Sequence, residues 1–263
     1  MKKRCFYLDF IRAIAVISIL MTHYNAVFIY MNDENALKKA ILTTKVANIY
    51  IGDFGVSLFL IISGAALMYT YENKLELKTF YKKRALSIYP MFWIGYFIVF
   101  CHSFMVNGGI NQGIPKWRIL LSVIGMDGYI GMVLPSFYLI GEWFLGFIII
   151  IYIIFPLLRK GILDKPVITL IITIALYVFF MLDYRVPFIK NIFLFIRLPE
   201  IIFGMFFVKY IKKVDWKWAL VSLLIIVANS ILKPDWDASF QMTYIGISFF
   251  CLCLLYTSPS PRD

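Results

Sequence analysis

Two polar residues, Arg12 and His23, interrupt the apolar stretch LDFIRAIAVISILMTHY between Leu8 and Tyr24, with ten residues between them. An imidazole titrates near neutral pH and is the usual general base for activating a hydroxyl. A guanidinium binds phosphate or a carbonyl oxygen through directed N–H donors. On one helix the two residues lie about 16 Å apart along the axis, roughly half a bilayer core. Eleven steps of about 100° bring His23 back to nearly the face of Arg12, so both look into one cleft from different depths. Ionisable groups inside a membrane are costly and usually face a bundle interior or a wet cavity. The competing interpretation is a histidine hydrogen-bonded at the outer interface and an arginine that snorkels and pairs with Asp9 at i−3.

The elements that must position this pair follow from composition. The chain has 263 residues, 62% apolar and 16% charged, with a mean hydropathy of +0.82. Soluble domains are nearer a quarter charged, and here the apolar residues form blocks of membrane-spanning length. A basic start, Met1-Lys2-Lys3-Arg4, precedes an apolar run too long for a signal peptide and without a small-residue cleavage site, so no cleavable leader is expected. The net charge of +11 sits in short clusters between apolar blocks. That distribution speaks for topology and anionic lipid, not nucleic acid. Cys5, Cys101, Cys251 and Cys253 lie in or beside apolar segments, without disulfide or metal spacing. No metal site is expected.

The expected spans run from about Leu8 to Tyr30, Val46 to Tyr71, Leu86 to Val106, Glu142 to Leu158, Pro166 to Leu182, Asn191 to Val208, Trp218 to Leu232 and Phe240 to Tyr256. The run Ile119–Leu134 is short and broken by Gly125, Asp127, Gly128 and Gly131. With a cytoplasmic N-terminus, the clusters Lys74–Arg84, Arg159/Lys160/Lys165 and Lys209/Lys212/Lys213/Lys217 all fall inside only if that run does not cross. The fold class is therefore all-α, a polytopic transmembrane bundle of about eight spans plus one re-entrant or surface segment. Residues 1–256 form one domain. The polar, Pro-rich residues 257–263 are an atypical tail, of the kind that read-through of an adaptor would leave, and are set apart from the fold.

Further candidates lie elsewhere in the chain. Asp53, at the outer start of the second span and at a depth like that of His23, could orient the imidazole. Ser63 and Gly64, with Gly52 and Gly55, let helices approach closely. Lys82-Lys83-Arg84 caps the third span: either a topology signal or a landing site for an anionic donor. Arg197-Leu-Pro-Glu200 places opposite charges at i, i+3 inside an apolar block, either neutralising each other or shaping the cleft. Glu142 opens a span beside Trp143 and faces the outer interface. His102, beside Cys101, lacks a polar partner in register and is taken as interfacial packing.

Four blocks carry a resemblance: Leu8-Asp9-x-x-Arg12-Ala13 through His23; Gly55-Val56-x-Leu58-Phe59-x-x-x-Ser63-Gly64; Arg84-x-x-x-Ile88-Tyr89-Pro90; and Trp143-x-Leu145 through Tyr152 and Pro156, with Arg197-Leu-Pro-Glu200-x-x-x-Gly204. Their order and spacing resemble the membrane acyltransferase-3 family, bacterial inner-membrane enzymes that O-acylate surface polysaccharides and other glycans. The resemblance implies transfer from cytoplasmic acyl-CoA, most often acetyl-CoA as co-substrate, to a saccharide hydroxyl at the outer face. It maps His23 and Arg12 onto the family's essential histidine and arginine, and Arg84, beside Lys83, onto its basic donor-side motif. Three positions depart from the pattern. Ser87 stands where members often have a second arginine, Ser57 where many have an acid, and Ile148 where many have a glutamate. The chain is also shorter than typical members, which implies that a final span or two is missing. Two rival functions share these features: an exporter of polysaccharide intermediates without chemistry, and an interaction subunit of a polysaccharide synthase.

Overall fold

Heptad spacing of small and apolar side chains decides how the first helix packs. In α1 (Phe6–Tyr30), Leu8, Ile11, Ala15, Ser18 and Asn25 are buried, while Phe10, Val16, Ile17 and Leu20 are exposed. That stripe recurs at three- and four-residue steps, the signature of a helix with one packed face. The computed structural model describes residues 6–30, 39–41, 45–109, 113–131, 133–136 and 143–257; Glu142 and the tail 258–263 lie outside them.

A two-stranded antiparallel hairpin, β1 (Lys45–Val46) and β2 (Ile49–Tyr50), leads into α2 (Ile51–Tyr71). Ala47 and Asn48 both have positive φ, 46° and 67°, the requirement of a primed two-residue hairpin turn. The second span was expected to be continuous from Val46; the turn ends that continuity, and the helix starts at Ile51.

Next come α3 (Leu77–Asn107), the short helices α4 (Ile119–Val123) and α5 (Asp127–Ile130), α6 (Trp143–Asp164) and α7 (Pro166–Leu182). Then follow α8 (Leu194–Phe206), running into a π-helical turn (Phe207–Ile211), α9 (Trp216–Leu232) and α10 (Ala238–Thr257). The basic cluster Lys78–Arg84 forms the first turns of α3, where a connector was expected. Lysine and arginine are good helix formers, so charge marks the membrane edge without ending the helix. Gly108 closes α3 with φ 69°, and the Gly109 amide bonds to the Phe104 carbonyl, a left-handed cap that glycine adopts without strain.

Each of the eight expected segments carries a helix, and this is a membrane protein. Among the described residues, Ile51–Tyr71, Leu77–Asn107, Trp143–Asp164 and Lys190–Ile211 are long and apolar enough to cross a bilayer, by length and composition. Helices α4 and α5, of five and four residues, are too short to cross, in keeping with a re-entrant or surface segment.

The chain divides into two compact units: residues 1–72, 170–182 and 195–263, and residues 73–169 and 183–194. In the first, α2 is central: its buried residues include Phe54, Leu58, Leu60, Ile61 and Met68. In the second, α4 and α5 lie against α6: a Cβ on Gly146 would meet Tyr129, and one on Gly125 would meet Leu145. Tyr89 and Trp93 of α3 donate to the carbonyls of Ile124 and Val123 at 3.0 and 2.8 Å. The short segment thus has its exposed backbone ends satisfied by side chains, as irregular backbone at membrane depth requires.

Candidate active site

In the first unit, α1 and α2 pack through small residues. A Cβ on Gly52 would lie 2.9 Å from Thr22 Oγ1, and one on Gly55 2.9 Å from Ser18 Cβ and 3.1 Å from the Ala15 carbonyl oxygen. Rising numbers on α2 meet falling numbers on α1, so the helices are antiparallel. Each step along a right-handed helix turns about 100°. In an antiparallel pair, the residue that follows the contact residue therefore turns to the same side of the seam on both helices. His23 follows Thr22, Asp53 follows Gly52, and Arg12 follows the buried Ile11. His23 and Arg12 flank the seam on one side, His23 at the level of Gly52 and Arg12 nearer the start of α1.

His23 and Arg12 are both exposed. Arg12 Nη1 bonds to Asp9 Oδ1 at 2.7 Å. Asp53, expected as a carboxylate partner for His23, is met instead by Arg197: Nη2 donates to its Oδ1 at 3.3 Å. The cause is facial. Asp53 and Ser57 are one helical turn apart and look toward α8, whereas Gly52 and Gly55 look toward α1.

Behind Asp53 stands a fully buried polar cluster. Arg197 and Glu200 are both 0% exposed. Arg197 Nη1 donates to Glu200 Oε1 and Oε2 at 3.0 and 3.2 Å and to Ser57 Oγ at 3.0 Å. Ser57 Oγ donates to Glu200 Oε1 at 2.6 Å and lies 3.3 Å from the Met242 carbonyl oxygen. A buried guanidinium costs several kcal/mol in desolvation unless it is paired and hydrogen-bonded; here two carboxylates and a hydroxyl surround it. Ser63 is half-buried; the serine in the cluster is Ser57, six residues earlier. The detectable signal was Asp53 and Ser57 at i, i+4 on one helix and Arg197 and Glu200 at i, i+3 on another.

A second polar tie lies at the same end of this unit. Asn229 Nδ2 donates to the carbonyl of Ala47 at 2.6 Å and to Gln241 Oε1 at 3.0 Å, and the Tyr244 hydroxyl donates to Asn229 Oδ1. Gln241 Nε2 donates to the carbonyls of Pro234 and Trp236 at 3.1 and 2.8 Å. These bonds pin the hairpin before α2 to the α9–α10 connection. At the opposite end, Lys209 Nζ pairs with Glu72 Oε1 at 2.7 Å.

The second unit holds the basic motif. Lys83 is exposed and Arg84 half-buried. The Arg84 guanidinium lies 5.5 Å from the Phe80 ring centre and 5.2 Å from that of Tyr152, within cation–π range. A groove of ≈ 220 Å³ runs past it, lined among others by Tyr81, Ile88, Tyr89 and Ile149. Cations beside aromatic faces suit a phosphate-bearing nucleotide. Cys101, Cys251 and Cys253 are free thiols.

A family model described as an acyltransferase domain matches residues 6–260. Comparison with curated proteins and with solved structures returns no match.

Proposed function

Since this chain belongs to the acyltransferase-3 family, we propose that it is an O-acyltransferase of the bacterial inner membrane that moves an acyl group, acetyl as the working case, from cytoplasmic acyl-CoA to a hydroxyl of a surface polysaccharide or glycan. The observation that carries the proposal is His23: exposed beside the α1–α2 seam, on the same flank as Arg12, in a chain that matches the family model over nearly its whole length.

The imidazole of His23 takes the proton of the acceptor hydroxyl as its oxygen attacks the thioester carbonyl. A C–O bond forms, the C–S bond breaks, and the leaving thiolate takes the proton back from the imidazolium. Lys83 and Arg84 supply positive charge suited to the donor's phosphates. The N-terminus is cytoplasmic, which keeps the basic clusters on the donor side.

The test compares the protein with His23→Ala at matched membrane levels, supplying labelled acetyl-CoA to inside-out vesicles and counting label in glycan. A positioned general base contributes about 10²- to 10⁴-fold, so His23→Ala should lose nearly all incorporation while folding normally. Normal acylation by that variant would remove His23 from the mechanism. Absent label in both forms, with glycan export impaired, would favour the exporter function instead.

A further inference from the structure

Helix α8 carries two opposite faces. Arg197, Glu200, Ile201 and Gly204 share one, and it is pressed on α2: a Cβ on Gly204 would land on the carbonyl oxygen of Ile61. Pro199, Ile202, Phe203 and Phe206, at i, i+3, i+4 and i+7, share the other and line one wall of a groove of ≈ 260 Å³. Leu170, Thr173 and Ile174 of α7 form the facing wall. The two helices meet beyond the groove, where the rings of Phe180 and Phe195 stack with centres 5.2 Å apart and planes 5° from parallel. Numbers that rise on α7 fall on α8, so the pair is antiparallel and the groove lies toward the start of α7 and the end of α8. Its base is buried, Thr173 and Ile202 being 3% and 1% exposed, and its mouth is open at Leu170, Ile174 and Ile211.

One end of that groove stands at a membrane surface. Ile211, which lines it, closes the apolar segment Lys190–Ile211. Tyr210, Trp216 and Trp218, close by in the chain, are exposed, as in the aromatic belt of a membrane–water interface. Lys212 and Lys213 follow Ile211 directly and are exposed. Lys212 has φ 60°, a conformation costly for a residue with a Cβ, and the helix ends there. Residues 209–217 hold four lysines and one acid, Asp215. Lys209 pairs with Glu72 at 2.7 Å, so the positive charge at this surface comes from Lys212, Lys213 and Lys217.

We infer that this groove binds one anionic phospholipid of the bilayer, with an acyl chain between α7 and α8 and the phosphate headgroup at Lys212 and Lys213. An apolar trough that opens sideways and ends at a basic rim matches the two-part character of such a lipid. Its walls offer hydrocarbon and no charged side chain, which disfavours a polar ligand. A helix from another protein would not sink into it: one turn of a helix 10 Å across and 5.4 Å in pitch fills roughly 400 Å³, against ≈ 260 Å³ here. A neutral lipid would fill the trough but leave the lysines without a counter-charge, so headgroup charge decides the occupant. The bound chain supplies the packing that α7 and α8 lack between Ile174 and Phe206. None of His23, Arg12, Lys83 and Arg84 lines the groove, so lipid binding there is separate from acyl transfer.

The experiment incubates the purified protein in mild detergent with an equal mixture of phosphatidylglycerol and phosphatidylcholine of the same chain length, and counts the lipid retained by native mass spectrometry. Wild type should keep one phosphatidylglycerol in preference to phosphatidylcholine. Lys212→Gln with Lys213→Gln, both exposed and tolerant of change, should lower that preference roughly 10- to 30-fold. Lys78→Gln with Lys82→Gln removes the same charge from exposed positions of α3 and should keep the wild-type preference. Ile174→Trp, which fills the mouth of the groove, should cut retention of either lipid, and Leu170→Trp stands in if that variant does not fold. Equal retention of the two lipids by wild type would mean a neutral occupant and overturn the inference. So would an unaltered preference after the Lys212 and Lys213 changes, an equal loss after the Lys78 and Lys82 changes, or undiminished retention with tryptophan in the groove.

Discussion

Gly64 of α2 and Gly204 of α8 face each other across a helix crossing with no side chain between them. A Cβ on Gly64 would land on the carbonyl oxygen of Ile201, and one on Gly204 on that of Ile61. Backbone cannot swing aside as a side chain can. Gly204→Ala should therefore force the helices apart and cost at least the ~1–3 kcal/mol typical of overpacking. Gly95 of α3 has open space around its Cβ position, so Gly95→Ala should be neutral or stabilise by roughly 0.5–1 kcal/mol. Thermal unfolding in detergent checks both; a wild-type midpoint for Gly204→Ala would mean that the crossing is not close.

Arg197→Ala leaves Glu200 buried without its partner. Removing one member of a buried pair typically costs about 3–5 kcal/mol, enough to deplete the folded protein. Ser57→Ala removes one neutral hydroxyl and should cost about 1 kcal/mol. Folded yield after mild detergent extraction should rank wild type, Ser57→Ala, Arg197→Ala. A yield for Arg197→Ala at or above that of Ser57→Ala would show that the cluster is not paired as described.

Arg84→Lys keeps the charge but loses the flat group that lies against Phe80 and Tyr152. Cation–π contacts are worth about 0.5–2 kcal/mol, and 1.4 kcal/mol is tenfold. The donor KM should rise up to about tenfold with kcat little changed, since lysine supplies a point charge without the planar fork. An unchanged KM would take Arg84 out of donor binding.

Asn229→Ala should loosen the hairpin. Three groups lose a partner at once: the Ala47 carbonyl, Gln241 and Tyr244. Leaving buried polar groups unsatisfied costs about 1–3 kcal/mol. Faster amide exchange at Ala47–Tyr50 than in wild type is the expected signature, with α3 unaffected.

The helices were legible because each is an apolar block bounded by charge, and Arg197 with Glu200 was legible because i, i+3 spacing is local. Ser57 was not: as a residue it marks only a departure from the family's acid, and its partners stand 140 and 143 positions away. Ser63 drew attention as a small residue, but its neighbour Gly64 makes the close approach. The hairpin escaped because Val46, Ile49 and Tyr50 extend the apolar run without a break in composition; only the positive φ of Ala47 and Asn48 ends it. Asp53 and His23 were matched by depth alone, and depth says nothing about which face of α2 an aspartate occupies.

Helix α3 presents a broad face outward: Phe80 alone is fully buried along it, while Leu86, Met91, Phe97, Ile98 and Met105 are each more than 60% exposed. In lipid such positions need only be apolar, since hydrocarbon neighbours fit Leu, Ile, Val, Phe or Met equally well. Mutational drift at these exposed positions of α3 should therefore be nearly free in shape and bounded in polarity. On α2, where Gly52, Gly55 and Gly64 each meet another helix, the reverse holds: a single methyl group is a structural event.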